Sequence, residues 1–173
     1  MTKSSIVIAV AMAAVVAGCT AVAPAGPSAA VKLEPTKGNS TAGTVTFSRK
    51  GNRIEVNAKV TGLTPGSHGF HIHEKGDCSS GDGMSAGGHF NPRGKPHASI
   101  ASADRHAGDM PMLVADATGN ATLVVELDVI TIGSGDTDIV GRGLIVHKDP
   151  DDFQTQPTGN SGARVACGVI IRS

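Results

Sequence analysis

Apolar side chains recur at alternate positions in short runs of this chain, and no helical period appears beyond its first thirty residues. The clearest run is Arg53-Ile54-Glu55-Val56-Asn57-Ala58-Lys59-Val60. It places Ile54, Val56, Ala58 and Val60 on one face and polar groups on the other. Successive side chains of an extended strand point to opposite faces, so this is the pattern of a half-buried strand. Residues 44–49 read as its hairpin partner across Lys50-Gly51-Asn52. Residues 112–116 and 121–127 form a second hairpin around Thr118-Gly119-Asn120, and Leu63-Thr64-Pro65-Gly66 is a turn signal. Residues 143–147 and 164–171 give two late strands. Short strands between glycine-rich turns imply an all-β, antiparallel sandwich or barrel.

Two stretches break this rhythm. Residues 74–111 form a long glycine-rich segment, and residues 148–162 are also poor in strand signals. Long loops in a compact domain are usually functional.

The N-terminus reads as a separate unit. Lys3 precedes an apolar stretch at 6–17, too short to span a bilayer but suited to the core of a signal peptide. It ends in Val16-Ala17-Gly18-Cys19, which resembles the bacterial lipobox, where the cysteine is lipidated and becomes the first residue. An ordinary cleaved signal followed by a chance cysteine is the competing reading. The expected organisation is a signal peptide at 1–18, a lipidated Cys19 with a flexible Ala/Pro/Ser tether at 19–30, and one domain at 31–173. With Cys19 taken by lipid, Cys78 and Cys167 remain, an even number in an exported chain, so a disulfide is expected. Lys plus Arg balance Asp plus Glu at 15 each, and no basic block appears. Nucleic-acid binding therefore has no support.

Six of the seven histidines can be read as ligands for two adjacent metal ions. They are His71 and His73, His89, His97, His106 with Asp109 three residues later, and His147. His71 and His73 project to one side of a strand, while Phe70 and Ile72 point the other way. His97, His106 and Asp109 need one more ligand to complete a tetrahedral zinc site. Imidazole suits copper and zinc, and an added carboxylate favours zinc. Taken alone, His147 at the end of Leu144-Ile145-Val146 reads by default as a buried, hydrogen-bonded side chain.

Four segments, taken together, resemble the motifs of copper–zinc superoxide dismutase: Gly69-Phe70-His71-Ile72-His73-Glu74-Lys75-Gly76-Asp77, Gly88-His89-Phe90-Asn91-Pro92, Arg105-His106-Ala107-Gly108-Asp109 and Gly162-Ala163-Arg164-Val165-Ala166-Cys167-Gly168. The resemblance runs from about Val31 to the end. It is nearest to the exported bacterial branch, given Cys78-Ser79-Ser80 and the short late loop. It implies a Greek-key β-barrel of eight strands, immunoglobulin-like, with two long functional loops. It implies one copper ion on His71, His73, His89 and His147, and one zinc ion on His89, His97, His106 and Asp109, with His89 bridging them. Asp151 matches the carboxylate that links a copper histidine to a zinc histidine, with Asp152 as competitor. Arg164 matches the arginine that binds the anion beside copper, and His68 matches a structural position.

The implied reaction is dismutation of superoxide to dioxygen and hydrogen peroxide, with copper cycling between Cu(II) and Cu(I) and zinc orienting His89. The catalytic pair is then Arg164 and His89, and the substrate is superoxide. Lys75 and Lys148 are candidates for steering that anion, since Asp152-Phe153-Gln154-Thr155 carries no lysine. Met84, Met110 and Met112 read as packing rather than as a soft entry path for copper(I). The expected location is the bacterial cell envelope or periplasm, protecting it from exogenous superoxide, with membrane contact only through the Cys19 lipid. Monomer and homodimer both remain open. A non-catalytic metal buffer is a competing reading, but it needs neither Arg164 nor a bridging His89. A mononuclear zinc hydrolase would need an open zinc position and a base such as Glu74.

Overall fold

The structure, a computed structural model, describes Met1 and residues 26–173. The proposed signal, Cys19 and most of the tether lie outside the described residues. Among the described residues, no helix is long and apolar enough to cross a membrane.

The strands are β1 (Ser28–Pro35), β2 (Ala42–Lys50), β3 (Arg53–Thr61), β4 (Gly66–His68), β5 (Phe70–His73), β6 (Leu113–Ala115), β7 (Ala121–Leu127), β8 (Gly143–His147), β9 (Arg164–Val169) and β10 (Ile171–Arg172). Every strand pairing is antiparallel, in the order β4-β6-β7-β3-β2-β1-β9-β8-β5, with β10 beside β1. The two ends of this path, β4 and β5, are consecutive in the chain and separated only by Gly69. The sheet therefore nearly closes on itself. Counting β4 with β5, and β9 with β10, reduces the ten segments to the eight strands expected.

β1 joins the two halves of the barrel. Its first part pairs with β2, and its last residues Glu34 and Pro35 pair with Cys167 and Ala166 of β9. The strand begins at Ser28, three residues before the boundary expected at Val31. The small side chain of Ala29 is buried, and Ser28 to Leu33 follow β2 in unbroken register. Composition alone made these alanines look like tether; cross-strand pairing makes them strand.

The alternation of β3 is realised, with Ile54, Val56, Ala58 and Val60 buried and the residues between them exposed or half-buried. Phe47, Phe70, Leu33, Ile72, Leu127 and Leu144 fill the interior, each contributing about 1.5–3 kcal/mol on burial. In β5 and β8 alternation fails, because every residue of Phe70–His73 and Gly143–His147 is buried. Phe70, Ile72, Leu144 and Val146 join the main core. The other face is covered by the loop after β5, which packs Ala86 and Cys78 against Ile145 and Cys167. The Cys78–Cys167 disulfide, spanning 89 residues, ties that loop to β9.

Candidate metal centre

The loops reach the outer edge of β5 by strand-like pairing. His73 bridges to His89 and His71 to Asp109. The Ile72 N–H donates to the Gly108 carbonyl at 3.0 Å, and the Phe90 N–H to the Ile72 carbonyl at 2.8 Å. The backbones approach so closely that a β-carbon at Gly108 would lie 2.2 Å from the Ile72 oxygen. Glycine is required there by contact. This zipper sets His89, His106 and Asp109 beside His71 and His73, while β8 brings His147 from the other edge through the Phe70↔Val146 register.

Two clusters result. His71, His73, His89 and His147 each offer a nitrogen within 4.8 Å of the others, and so do His89, His97, His106 with an oxygen of Asp109. All these residues are buried, and His89 belongs to both clusters.

The hydrogen bonds decide which atoms face inward. Nε2 of His71 meets the Asp151 carboxylate at 2.6 Å, and Nδ1 is buried without a hydrogen-bond partner. Nδ1 of His73 donates to the Gly87 carbonyl at 2.9 Å, and Nδ1 of His147 to the Gly162 carbonyl at 3.3 Å. Their free Nε2 atoms then face each other at 3.4 Å. Burial, then neighbouring imidazoles, push His73 well below its ordinary range; burial first, then His71, holds His147 at about 3. Neutral rings that donate through Nδ1 must present lone pairs at Nε2. Two lone pairs 3.4 Å apart repel, and a cation coordinated between them makes the arrangement favourable. Nε2 of His89, also buried without a partner, completes this set. The donor atoms therefore fit a metal ion with four imidazole ligands.

The second cluster centres on a carboxylate. Oδ2 of Asp109 accepts the backbone N–H groups of Ala98 and His106, both at 3.0 Å. That leaves Oδ1 facing Nδ1 of His97 at 2.8 Å and Nδ1 of His89 at 3.1 Å. Burial opposes the charge on Asp109, but bonds to His106, His89 and His97 outweigh it and hold the carboxyl far below its usual range. Three imidazoles and one carboxylate are a zinc-type donor set. Burial brings His89 down to about 4, against the raising effect of Asp109.

Asp151 joins the clusters: Oδ2 accepts from His71 and Oδ1 from Nε2 of His97 at 2.9 Å. Burial raises its carboxyl, but these partners more than reverse the effect. Asp152 is exposed and spends its carboxylate on the N–H groups of Gln154 and Thr155. His68 lies in neither cluster, because its nitrogens meet the carbonyls of His147 and Thr64 at 3.0 and 2.8 Å. Met110 is fully buried, Met112 Sδ accepts the Asp151 N–H, and Met84 is exposed.

Arg164, half-buried at the start of β9, donates from Nη1 to the Gly83 carbonyl and from Nη2 to the Gly87 carbonyl, each at 2.6 Å. Gly87 holds both His73 and Arg164 through its backbone carbonyl, so no side-chain signal marks it in the sequence. Gln156 holds His97 in turn. Its amide accepts the His97 N–H and donates to the His97 carbonyl, both at 2.8 Å. Lys148 lies beside His68 on a different cavity from the one that Arg164 lines, and the Lys75 backbone pairs with Ala86.

An antiparallel barrel carrying two clusters of metal-ligand side chains that share one imidazole has the architecture of a binuclear metalloprotein. Residues 41–170 match the family described as Copper/zinc superoxide dismutase (SODC). The extracellular Cu-Zn superoxide dismutase of Haemonchus contortus is 39% identical over 147 residues, covering 80% of this chain and 79% of the relative. That of Caenorhabditis elegans is 41% identical over 134 residues, covering 74% and 60%. Superoxide dismutase [Cu-Zn] 2 of Brassica juncea is 44% identical over 135 residues, covering 74% and 88%. A crystal structure of the clock protein EA4 superposes with a TM-score of 0.77 at 36% identity, covering 86% of this chain and 96% of that one. The chain belongs to the copper/zinc superoxide dismutase family. Its activity is the dismutation of superoxide, and its cofactors are copper and zinc.

Proposed function

We propose that His71, His73, His89 and His147 hold copper, that His89, His97, His106 and Asp109 hold zinc, and that Arg164 and His89 are the catalytic residues. The observation that carries this reading is the position of His89, whose Nε2 belongs with the all-imidazole set and whose Nδ1 lies with Asp109. Copper held by these four imidazoles would supply one-electron exchange with superoxide. Arg164 binds the anion. Its guanidinium stays charged, and two of its N–H groups are fixed on the Gly83 and Gly87 carbonyls, so the remaining ones are held in place to donate. When not engaged by copper, His89 Nε2 would take up one proton from solvent and would give it to the reduced product, the second proton that hydrogen peroxide needs coming from water. Asp151 orients His71 and His97 through their outer nitrogens, which fixes ring and tautomer together.

The site belongs, in the same proposal, to an exported bacterial lipoprotein, anchored through Cys19 after removal of 1–18, that protects the cell envelope from superoxide arriving from outside. Support comes from the apolar run at 6–17, from a disulfide that needs an oxidising compartment, and from relatives described as extracellular.

Metal analysis and superoxide dismutation, measured on one reconstituted sample of the purified protein, test the site. The expected result is one copper and one zinc per chain with fast turnover. Both metals bound without turnover would favour a metal buffer. Expression of Cys19→Ser with membrane fractionation tests the anchor, which requires release of the protein from the membrane pellet.

A further inference from the structure

We propose that Lys37 steers the superoxide anion, its ammonium group raising the concentration of small anions in a cavity that opens onto Arg164. The proposal rests on the dismutase reading and on the place of Arg164 in it.

Lys37 lies far in sequence from every segment that carries a metal ligand. The fold brings it to a cavity of about 290 Å³ whose lining includes Thr36, Lys37, Asp82, Met84 and Arg164. Its backbone is fixed there. The Asn39 N–H donates to the Thr36 carbonyl at 3.0 Å, and Gly38 has φ 81°, which makes residues 36–39 a tight turn with glycine at its third position. The Lys37 N–H donates to the Gly81 carbonyl at 2.7 Å, docking the turn on the loop whose Gly83 and Gly87 hold Arg164. On its other side, the Thr36 hydroxyl donates to the Arg164 carbonyl at 2.7 Å and the Thr36 N–H to the Val165 carbonyl at 3.1 Å. Turn, loop and arginine are thus held as one unit, with the exposed Lys37 side chain at its rim.

The lining of the same cavity carries one opposing charge, Asp82, whose carboxylate accepts the Met84 N–H at 2.9 Å. Lys37 and Asp82 therefore act on an entering anion with opposite signs, while Arg164 supplies the net attraction. Lys148 faces the cavity on the far side of the turn, next to His68. A unit charge about 10 Å from the path of an anion in water changes the local anion concentration about twofold. The Debye length is about 10 Å at 0.1 M salt and about 3 Å at 1 M, so this effect belongs to low ionic strength.

The experiment compares metal-loaded wild type with Lys37→Gln, Asp82→Asn and Lys59→Gln, which removes a charge from the outer face of β3. Two quantities are read at about 0.01 M and about 1 M salt: kcat/KM for superoxide, and the Kd of azide titrated against the copper absorption. Expected at low salt is an approximately twofold fall in kcat/KM and in azide affinity for Lys37→Gln, a rise in both for Asp82→Asn, and no change for Lys59→Gln. At high salt all four proteins should converge. Unchanged azide affinity in Lys37→Gln at low salt overturns the proposal. So does an equal loss at both salt concentrations, which is what a merely structural role would give. A wild type that holds both metals but does not turn over would sink the dismutase reading, and the azide series would still judge Lys37.

Discussion

His73 and Arg164 donate to the same carbonyl oxygen. Nδ1 of His73 lies 2.9 Å, and Nη2 of Arg164 2.6 Å, from the oxygen of Gly87. One backbone atom therefore sets the spacing between a ligand of the all-imidazole cluster and the guanidinium beside it. Gly87 has φ 74°, and a β-carbon there would collide with the Glu74 side chain, so the shared acceptor depends on glycine.

Arg164→Ala should retain both metals and lose about 100- to 1,000-fold in kcat/KM, the scale of removing one donor from developing negative charge. Arg164→Lys should recover only part of this, because an ammonium cannot span the Gly83 and Gly87 carbonyls as the guanidinium does. Steady-state rates on samples of measured metal content check both. Full turnover in Arg164→Ala at low salt would remove this residue from the reaction.

Asp151→Asn should weaken zinc binding by about 10- to 100-fold. Both imidazole nitrogens that meet Asp151 are donors when Asp109 and the metals occupy the inner ones. A carboxylate accepts from both, whereas an amide must turn its own donor group toward one. Chelator competition measures the change, and wild-type zinc affinity in the variant would refute a bridging role.

Gly108→Ala should lower the occupancy of both metals together. The new β-carbon would lie 2.2 Å from the Ile72 oxygen, forcing apart the pairing that seats His106 and Asp109 against β5. Leaving one buried donor or acceptor unmade costs about 1–3 kcal/mol. Copper and zinc retained after dialysis are the readout. Full occupancy would show that the zipper can slip without moving its ligands.

The metal-free protein should be most stable near neutral pH. Burial holds His89 at about 4 and His147 at about 3, below the value near 6.5 of an unfolded imidazole. Between those limits the unfolded chain binds more protons, so their contribution to stability is lost as pH falls below about 6.5. His97 behaves oppositely. Burial lowers it, but hydrogen bonds to Asp109 and Asp151 prevail and raise it to about 9. Its contribution is complete below about 6.5 and is lost as pH rises through about 9. Urea midpoints from pH 4 to 10 test this, and a midpoint still climbing between pH 6 and 4 would contradict the burial of His89 and His147.

Much of the centre was legible in residue order. The structure places His71, His73, His106 and Asp109 within the two clusters, and Asp151 within hydrogen-bond distance of His71 and His97. Burial of both faces of β5 and β8 was not legible. Alternation reports one face against water, and here a loop replaces the water. The start of β1 was not legible either, since Ser28-Ala29-Ala30 has the composition of a tether and becomes a strand only through its partners Ser48, Phe47 and Thr46.

The sequence by itself determined the extended character of the chain and the donor types at the centre, because strand alternation depends on neighbouring residues and ligand chemistry on single side chains. The tertiary structure decided which nitrogen of each imidazole faces inward, that Gly87 and Gln156 support the ligands, and that Lys37 stands beside Arg164. Those relationships join residues 14 to 127 positions apart. No local preference encodes them; they exist because barrel closure brings β1, β5, β8 and β9 together and folds the loops onto the edge of β5.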